Sequence, residues 1–204
     1  MLIKEEINGI EIICETGEYY FSPKGVDRGT RLMLETVPVA ACDKVLDLGC
    51  GYGVVGIYAA KKVGGENVVM CDILEDAVAL SEANLTRNGI DGVRVLQSDG
   101  LRNIEDRDFT LILSNPPYHT DFSVAKEFIE EGFKKLKVGG RMALVTKRLD
   151  WYRNKLKSVF GGVKVFEAED YYIFLSEKRA ARVEKPKKNT QTMSKKLQRK
   201  YGRK

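Results

Sequence analysis

The chain has 204 residues, 43% hydrophobic and 31% charged, which suits one soluble domain that buries roughly 70% of its unfolded surface. No apolar run approaches the roughly 20 residues of a membrane helix, and a lone histidine, His119, excludes a multi-histidine zinc site. The net charge of +5 is unevenly spread: residues 178–204 carry 12 basic residues and one acid, Glu184, for +11, and the rest has 22 basic and 28 acidic residues, for −6.

The N-terminal "LIKEEI-NG-IEIICE-TG-EYYF" reads as three short strands with turns at Asn8-Gly9 and Thr16-Gly17. A helix is predicted from about Thr30 to Val37. This β-meander and helix, residues 1–38, are expected to belong to the same domain as the core, residues 39–177. The first stretch has no apolar signal region or small-residue cleavage site. The cysteines, Cys14, Cys42, Cys50 and Cys71, show no CxxC spacing and read as reduced thiols of a cytoplasmic protein.

From residue 40 apolar runs alternate with helical patterns. "KVLDLG" (44–49) is a strand, 54–63 a helix and "NVVMCD" (67–72) the next strand. A helix follows from Glu75 to Asn88, with Ala77, Leu80, Ala83 and Leu85 as its inner face and Gly89 at its C-terminal stop. "VRVLQSD" and "FTLILSN" are strands, and Ser123 to Lys137 a helix stopped by Gly139-Gly140. "RMALVTK", a helix from about Asp150 to Phe160, and the strands "VKVFEAE" and "YYIFLSEK" complete the body. The last two, only a few residues apart, predict an antiparallel hairpin. Such alternation predicts an α/β fold, a mainly parallel sheet with helices on both faces. Residues 178–204, basic and poor in large apolar groups, are expected to be a disordered tail.

Four strand ends carry polar groups. "DLGCGYG" (47–53) places Asp47 ahead of Gly49, Gly51 and Gly53, where close backbone approach and a helix N-terminus favour a ligand. Gly51 to Gly56 also fits the GxGxxG dinucleotide pattern, with Asp72 roughly 20 residues on. Asp47 suits a ligand ammonium group better than a pyrophosphate. Asp72, followed by Ile73, is placed to accept from both ribose hydroxyls, or to cap the next helix. Asp99, before Gly100, is placed to accept from an adenine amine, or is a turn aspartate. "SNPPYH" (114–119) ends its strand in a stiff loop, because proline fixes φ and lacks a donor. In an open α/β sheet, ligands bind beyond these carboxyl ends.

"VLDLGCGYG", Asp72, Asp99 and "NPPY" together resemble the class I S-adenosylmethionine-dependent methyltransferases, over roughly residues 20–177. The resemblance implies a Rossmann-like, seven-stranded sheet with an antiparallel last strand. It gives the methionine end to Asp47, Gly49, Gly51 and Gly53, the ribose to Asp72 and the adenine to Asp99. In the amino-methylating branch, the loop of Asn115, Pro116, Pro117 and Tyr118 is catalytic. There the Asn115 side-chain oxygen and Pro116 carbonyl accept both N–H bonds of a conjugated amine and favour a pyramidal, reactive nitrogen. Tyr118 would stack on the flat substrate.

"YYFSPKGVDRGTRLML" (19–34), "SNPPYH" and "YYIFLSEKR" are similar to the small-subunit ribosomal RNA guanine-N2 methyltransferases, whose FS…D-x-G-[ST] segment implies that Phe21, Asp27 and Thr30 approach the cofactor. Longer members carry a duplicated N-terminal domain that has no counterpart here. The expected activity is N-methylation of an exocyclic RNA amine, guanine N2 of ribosomal RNA, with the basic tail gripping phosphates. Adenine-N6 methylation, glutamine methylation and a non-catalytic RNA-binding role are the alternatives. No metal and no membrane partner are expected, and oligomeric state and the role of His119 are not legible.

Overall fold

The computed structural model describes residues 1–16, 25–117 and 122–180. The expected third meander strand, Phe21, Tyr118, His119 and most of the basic tail lie outside the described residues.

A two-stranded hairpin opens the chain, β1 (Leu2–Ile7) and β2 (Ile10–Glu15). Its turn is Asn8-Gly9, with φ +49° and +76°. Positive φ at both central residues matches the right-handed twist of the flanking strands. Then come α1 (Arg28–Thr36), β3 (Val45–Leu48), α2 (Val54–Val63), a short 3₁₀ turn, β4 (Val68–Asp72), α3 (Glu75–Arg87) and β5 (Arg94–Gln97). The second half is β6 (Phe109–Ser114), α4 (Phe122–Lys135), β7 (Leu136–Thr146), α5 (Leu149–Phe160), β8 (Lys164–Ala168) and β9 (Tyr171–Glu177).

Seven strands form one sheet in the order β5-β4-β3-β6-β7-β9-β8. Neighbours from β5 to β7 run parallel; β9 is antiparallel to both β7 and β8. The chain builds outward from β3 to β5, then returns to β6 on the other side of β3. That reversal makes a crevice at the carboxyl ends of β3 and β6. All four residues of β3 are buried. One apolar core joins the hairpin, α1 and α2 to one sheet face, and a second joins α4 and α5 to the other.

The α4–β7 junction differs from the sequence reading. α4 stops at Lys135, ahead of Gly139-Gly140, and runs straight into β7. The β6–β7 register shifts between Phe109 and Leu111. Here the glycines serve a bulged strand start: a Cβ on Gly140 would stand 2.7 Å from the Phe109 carbonyl oxygen.

The inner face of α3 is Ala77, Ser81, Asn84 and Leu85, with Ala83 exposed and Leu80 half-buried. Ser81 turns to the glycine loop, while Asn84 and, at the helix end, Asn88 serve the hairpin edge. Asn84 exchanges hydrogen bonds with the Glu15 backbone, N–H to Oδ1 at 2.7 Å and Nδ2 to O at 2.9 Å. Asn88 does the same with Ile13, at 3.1 and 2.6 Å. Four residues of helix rise about 6 Å and two residues of strand about 6.6 Å, so the two amides match alternate residues of β2.

Lys178, the first residue assigned to the tail, is tied to the sheet. Its N–H donates to Gly140 O (2.8 Å), its carbonyl accepts from Gly139 N (2.7 Å), and its Nζ donates to Leu136 O (2.6 Å).

Candidate functional site

A cavity of about 390 Å³ opens at the crevice, within the size range of small-molecule sites. Its lining takes in Asp47 within β3 and Gly49 and Gly51 beyond it, Asp72 at the end of β4 and Ile73 beyond it, Asp99 and Gly100 after β5, and Asn115, Pro116 and Pro117 after β6. Thr30 and Asp27 border it from α1. Gly53, at the first turn of α2, packs instead toward Met70 and Ser81.

The loop between β3 and α2 is pinned from several sides. The Gly49 and Cys50 N–H groups both donate to Cys71 O at 2.9 Å. Ser81 Oγ donates to Gly51 O at 2.9 Å, and Asn84 Nδ2 to Tyr52 O at 2.8 Å. Gly51 has φ +55°, and a Cβ built there meets nothing within 4 Å. Its backbone therefore faces open space that a ligand can enter. Gly56 serves close packing instead. A Cβ there would stand 2.3 Å from Met70 Sδ, so its absence lets α2 close onto β4.

Asp47 is buried, and its Oδ2 accepts from Gly56 N at 2.8 Å. Burial pushes its carboxyl up to about 7, against the lowering effect of that bond and with a further push from nearby Asp72. A cation brought into the cavity would restore the charged form. Asp72 ties two segments, accepting from Gly51 N on Oδ2 (2.9 Å) and Leu74 N on Oδ1 (3.1 Å). The residue at the N-terminus of α3 is Leu74, without a side-chain cap. Asp99 pairs with Arg102 at 2.8 Å on the cavity rim. Ile73 and Leu74 present exposed apolar side chains beside these acids, a surface suited to a flat ring.

Asn115 occupies the opposite wall. Its Nδ2 donates to Asp27 Oδ2 at 2.8 Å and to Thr30 Oγ1 at 2.9 Å. Asp27 caps α1, its Oδ2 accepting from Thr30 N at 2.9 Å. α1 is in turn seated on the end of the β8–β9 hairpin. A Cβ on Gly29 would stand 2.7 Å from the Tyr171 ring, and Arg28 pairs with Glu169. Thus Asp27 and Thr30 reach the cavity, and both also hold the Asn115 amide.

Sequence reasoning missed Val26, Leu74, Ala77, Val124 and Phe128 in the lining. Phe128 lies within reach of Gly49 and Gly100, 3.8 and 3.5 Å from a Cβ built on each. In sequence it is one residue of an ordinary amphipathic stripe on α4, with no signal to set it apart.

A glycine loop, strand-end acids on three adjacent strands and an amide on the fourth define a ligand-binding α/β domain of the methyltransferase type. The chain belongs to the Methyltransferase small domain family, whose model matches residues 10–176. It is 33% identical over 164 residues to the uncharacterized protein YbxB of Bacillus subtilis, covering 78% of this chain and 82% of that one. It is 36% identical over 149 residues to the ribosomal RNA small subunit methyltransferase C of Cronobacter sakazakii, covering 71% of this chain and 43% of that protein. Among solved structures it resembles a T. thermophilus 16S rRNA N2 G1207 methyltransferase (RsmC) in complex with AdoMet and guanosine. That match has a TM-score of 0.81 at 27% identity, over 88% of this chain and 50% of that one. The chain spans about half the length of the methyltransferase C relatives it matches.

Proposed function

We propose that this chain is an S-adenosylmethionine-dependent N-methyltransferase acting on an exocyclic amine of RNA, guanine N2 of ribosomal RNA. The observation that carries the reading is Asn115, placed at the cavity wall with its amide nitrogen engaged behind it by two acceptors. Its remaining hydrogen-bonding atom, Oδ1, is an acceptor.

The cavity fits the cofactor by chemistry. Gly51 offers open backbone, Asp72 a carboxylate for ribose hydroxyls, Ile73 and Leu74 an apolar edge, and buried Asp47 a counter-charge for an ammonium group. Thr30 and Asp99 border the same space. When bound, S-adenosylmethionine supplies an electrophilic methyl group on a sulfonium. Asn115 Oδ1 and the Pro116 carbonyl accept the two N–H bonds of the target amine, turning its lone pair toward that methyl. Positive charge growing on the nitrogen during methyl transfer would be stabilised by both acceptors, and one proton would then leave to water. Orientation and electrostatics therefore supply the catalysis, with no strong base. Tyr118 has the stacking role by resemblance.

Guanine N2 is favoured by the RsmC likeness, since that neighbour was solved with AdoMet and guanosine. The basic residues from 178 onward supply phosphate contacts that a −6 body would otherwise oppose. A cytoplasmic setting agrees with four free thiols, Cys14, Cys42, Cys50 and Cys71. Among the described residues no helix is long and apolar enough to cross a membrane.

The test is mass mapping of modified nucleosides in ribosomal RNA from a deletion strain, followed by methylation of that RNA with the purified protein. Loss and restoration of one N2-methylguanosine is expected. Restoration of N6-methyladenosine, or of a methylated glutamine in protein, would replace this substrate with another.

A further inference from the structure

The side-chain amide of asparagine has two ends of nearly equal size. An untethered Asn115 could present either its oxygen or its NH2 group to the cavity. Only the first suits an amine; the second sets donors against donors. If the chain methylates amines as proposed, the flip of this one group decides whether the loop is productive.

Two acceptors stand behind it. Asp27 Oδ2 lies 2.8 Å and Thr30 Oγ1 2.9 Å from Asn115 Nδ2. They differ in discrimination. A threonine hydroxyl donates or accepts, so alone it would tolerate both flips. An ionised carboxylate only accepts, and a flipped amide would bring two oxygens together there. The carboxylate also polarises the amide it holds, leaving more negative charge on Oδ1.

We infer that Asp27, assisted by Thr30, is the positioning residue that fixes the flip of the Asn115 amide and so aims its oxygen at the amine to be methylated. This inference rests on the proposed N-methylation, and it extends the part of the "DRGT" segment beyond cofactor contact. Each residue then has a physical role, Arg28 pairing with Glu169. Asp27 holds the amide and caps the helix, Gly29 lets α1 settle on Tyr171, and Thr30 supplies the second acceptor.

The same Asp27 oxygen accepts from Thr30 N and from Asn115, so removing it confounds helix capping with amide control. Two variants separate them, because Asn and Ser cap helices as well as Asp. Asp27→Asn keeps an oxygen at full reach, and the Thr30 N–H that this oxygen caps holds it on the Asn115 side. Asp27→Ser caps the helix but is one bond too short for Asn115. Single-turnover rate and S-adenosylmethionine affinity are measured for both, with Thr30→Val as a third. Separately, the Asn115 side-chain N–H pair is observed by ¹⁵N NMR, assigned by its loss in Asn115→Asp.

Asp27→Ser should lose roughly 30-fold or more in rate, well beyond any change in cofactor affinity, at a melting temperature close to wild type. Asp27→Asn should stay within about fivefold of wild type, and Thr30→Val should fall between. The Asn115 amide protons should exchange faster and shift upfield in Asp27→Ser alone of the two Asp27 variants. A wild-type rate in Asp27→Ser, or an unmoved amide signal, would overturn the inference. If the wild-type protein methylates no exocyclic amine, the functional reading falls. The amide signal, which needs no substrate, still decides whether Asp27 sets the flip.

Discussion

Asn84 pairs with the backbone of Glu15 as a neighbouring strand would, giving and taking one hydrogen bond, and its same Nδ2 also reaches the Tyr52 carbonyl. One buried side chain thus joins the hairpin, α3 and the glycine loop. Asn84→Ala should lower unfolding stability by about 2–3 kcal/mol, because backbone groups around it lose their partners. Chemical denaturation checks the value. Cofactor affinity should drop as well, since the loop loses a tether.

Asp72 carries a comparable double duty on the cofactor side. Asp72→Ala should weaken S-adenosylmethionine binding by about 1.5–3 kcal/mol, the range for hydrogen bonds to a charged group. Calorimetry measures it directly. NADH should not bind; tight NADH binding without S-adenosylmethionine binding would refute the methyltransferase reading.

Asn115→Ala should leave the fold intact, as the residue follows β6 in a loop. Single-turnover rates should fall by about 10²-fold or more with little change in cofactor affinity. Full activity in this variant would reduce the loop to a structural turn.

Asp47 makes binding pH-dependent. Its folded-state carboxyl sits near 7 against an ordinary 3.8. The folded, ligand-free protein therefore holds an extra proton between those values, and its stability falls as pH rises from about 4 to about 7. A cationic ligand favours the ionised form, so affinity should rise with pH, up to tenfold per unit, and level off above about 7. The ligand's own α-amino group loses its proton near pH 8, so affinity should turn down again there. Asp47→Asn should remove the rising limb; a rising limb of equal slope in that variant would assign it to another group. Titrations from about pH 5.5 to about 9 read both limbs.

RNA affinity should fall steeply with salt if the basic terminus neutralises several phosphates. Truncation after Ala180 should flatten the slope of log affinity against log salt and barely change cofactor binding or melting temperature. The cut belongs there, because Lys178 is hydrogen-bonded to β7. Equal slopes for full-length and truncated protein would refute the electrostatic arm.

What was legible in the sequence was local. Asp47, Asp72, Asp99 and Asn115 each lie at or near the carboxyl end of a strand pattern, and in a parallel sheet all such ends face one crevice. The helices were legible where periodicity and stop signals agreed, as at Glu75–Arg87 with Gly89 beyond. The junction of α4 and β7 was not, because a glycine pair reads as a helix stop even where one member supplies a positive φ and the other admits a close strand approach. Nor were partnerships across long separations legible. Asn84 with Glu15, and Asn115 with Asp27, lie 69 and 88 residues apart. Polar residues on an inner helix face break the apolar pattern, so Ser81 and Asn84 are absent from the inner face predicted for that helix. Phe128 belongs to a core stripe by spacing, and only the sheet's geometry turns it toward the cavity.

The seating of Gly29 on Tyr171 has a consequence for the order in which the fold is completed. Asp27 and Asn115 belong to the first three-fifths of the chain, yet the helix that Asp27 caps rests on a ring from the last strand. During synthesis the glycine loop and the three acidic strand ends leave the ribosome well before β9 does. α1 therefore gains its seat, and Asp27 its final place beside Asn115, only once the last strand has joined the sheet.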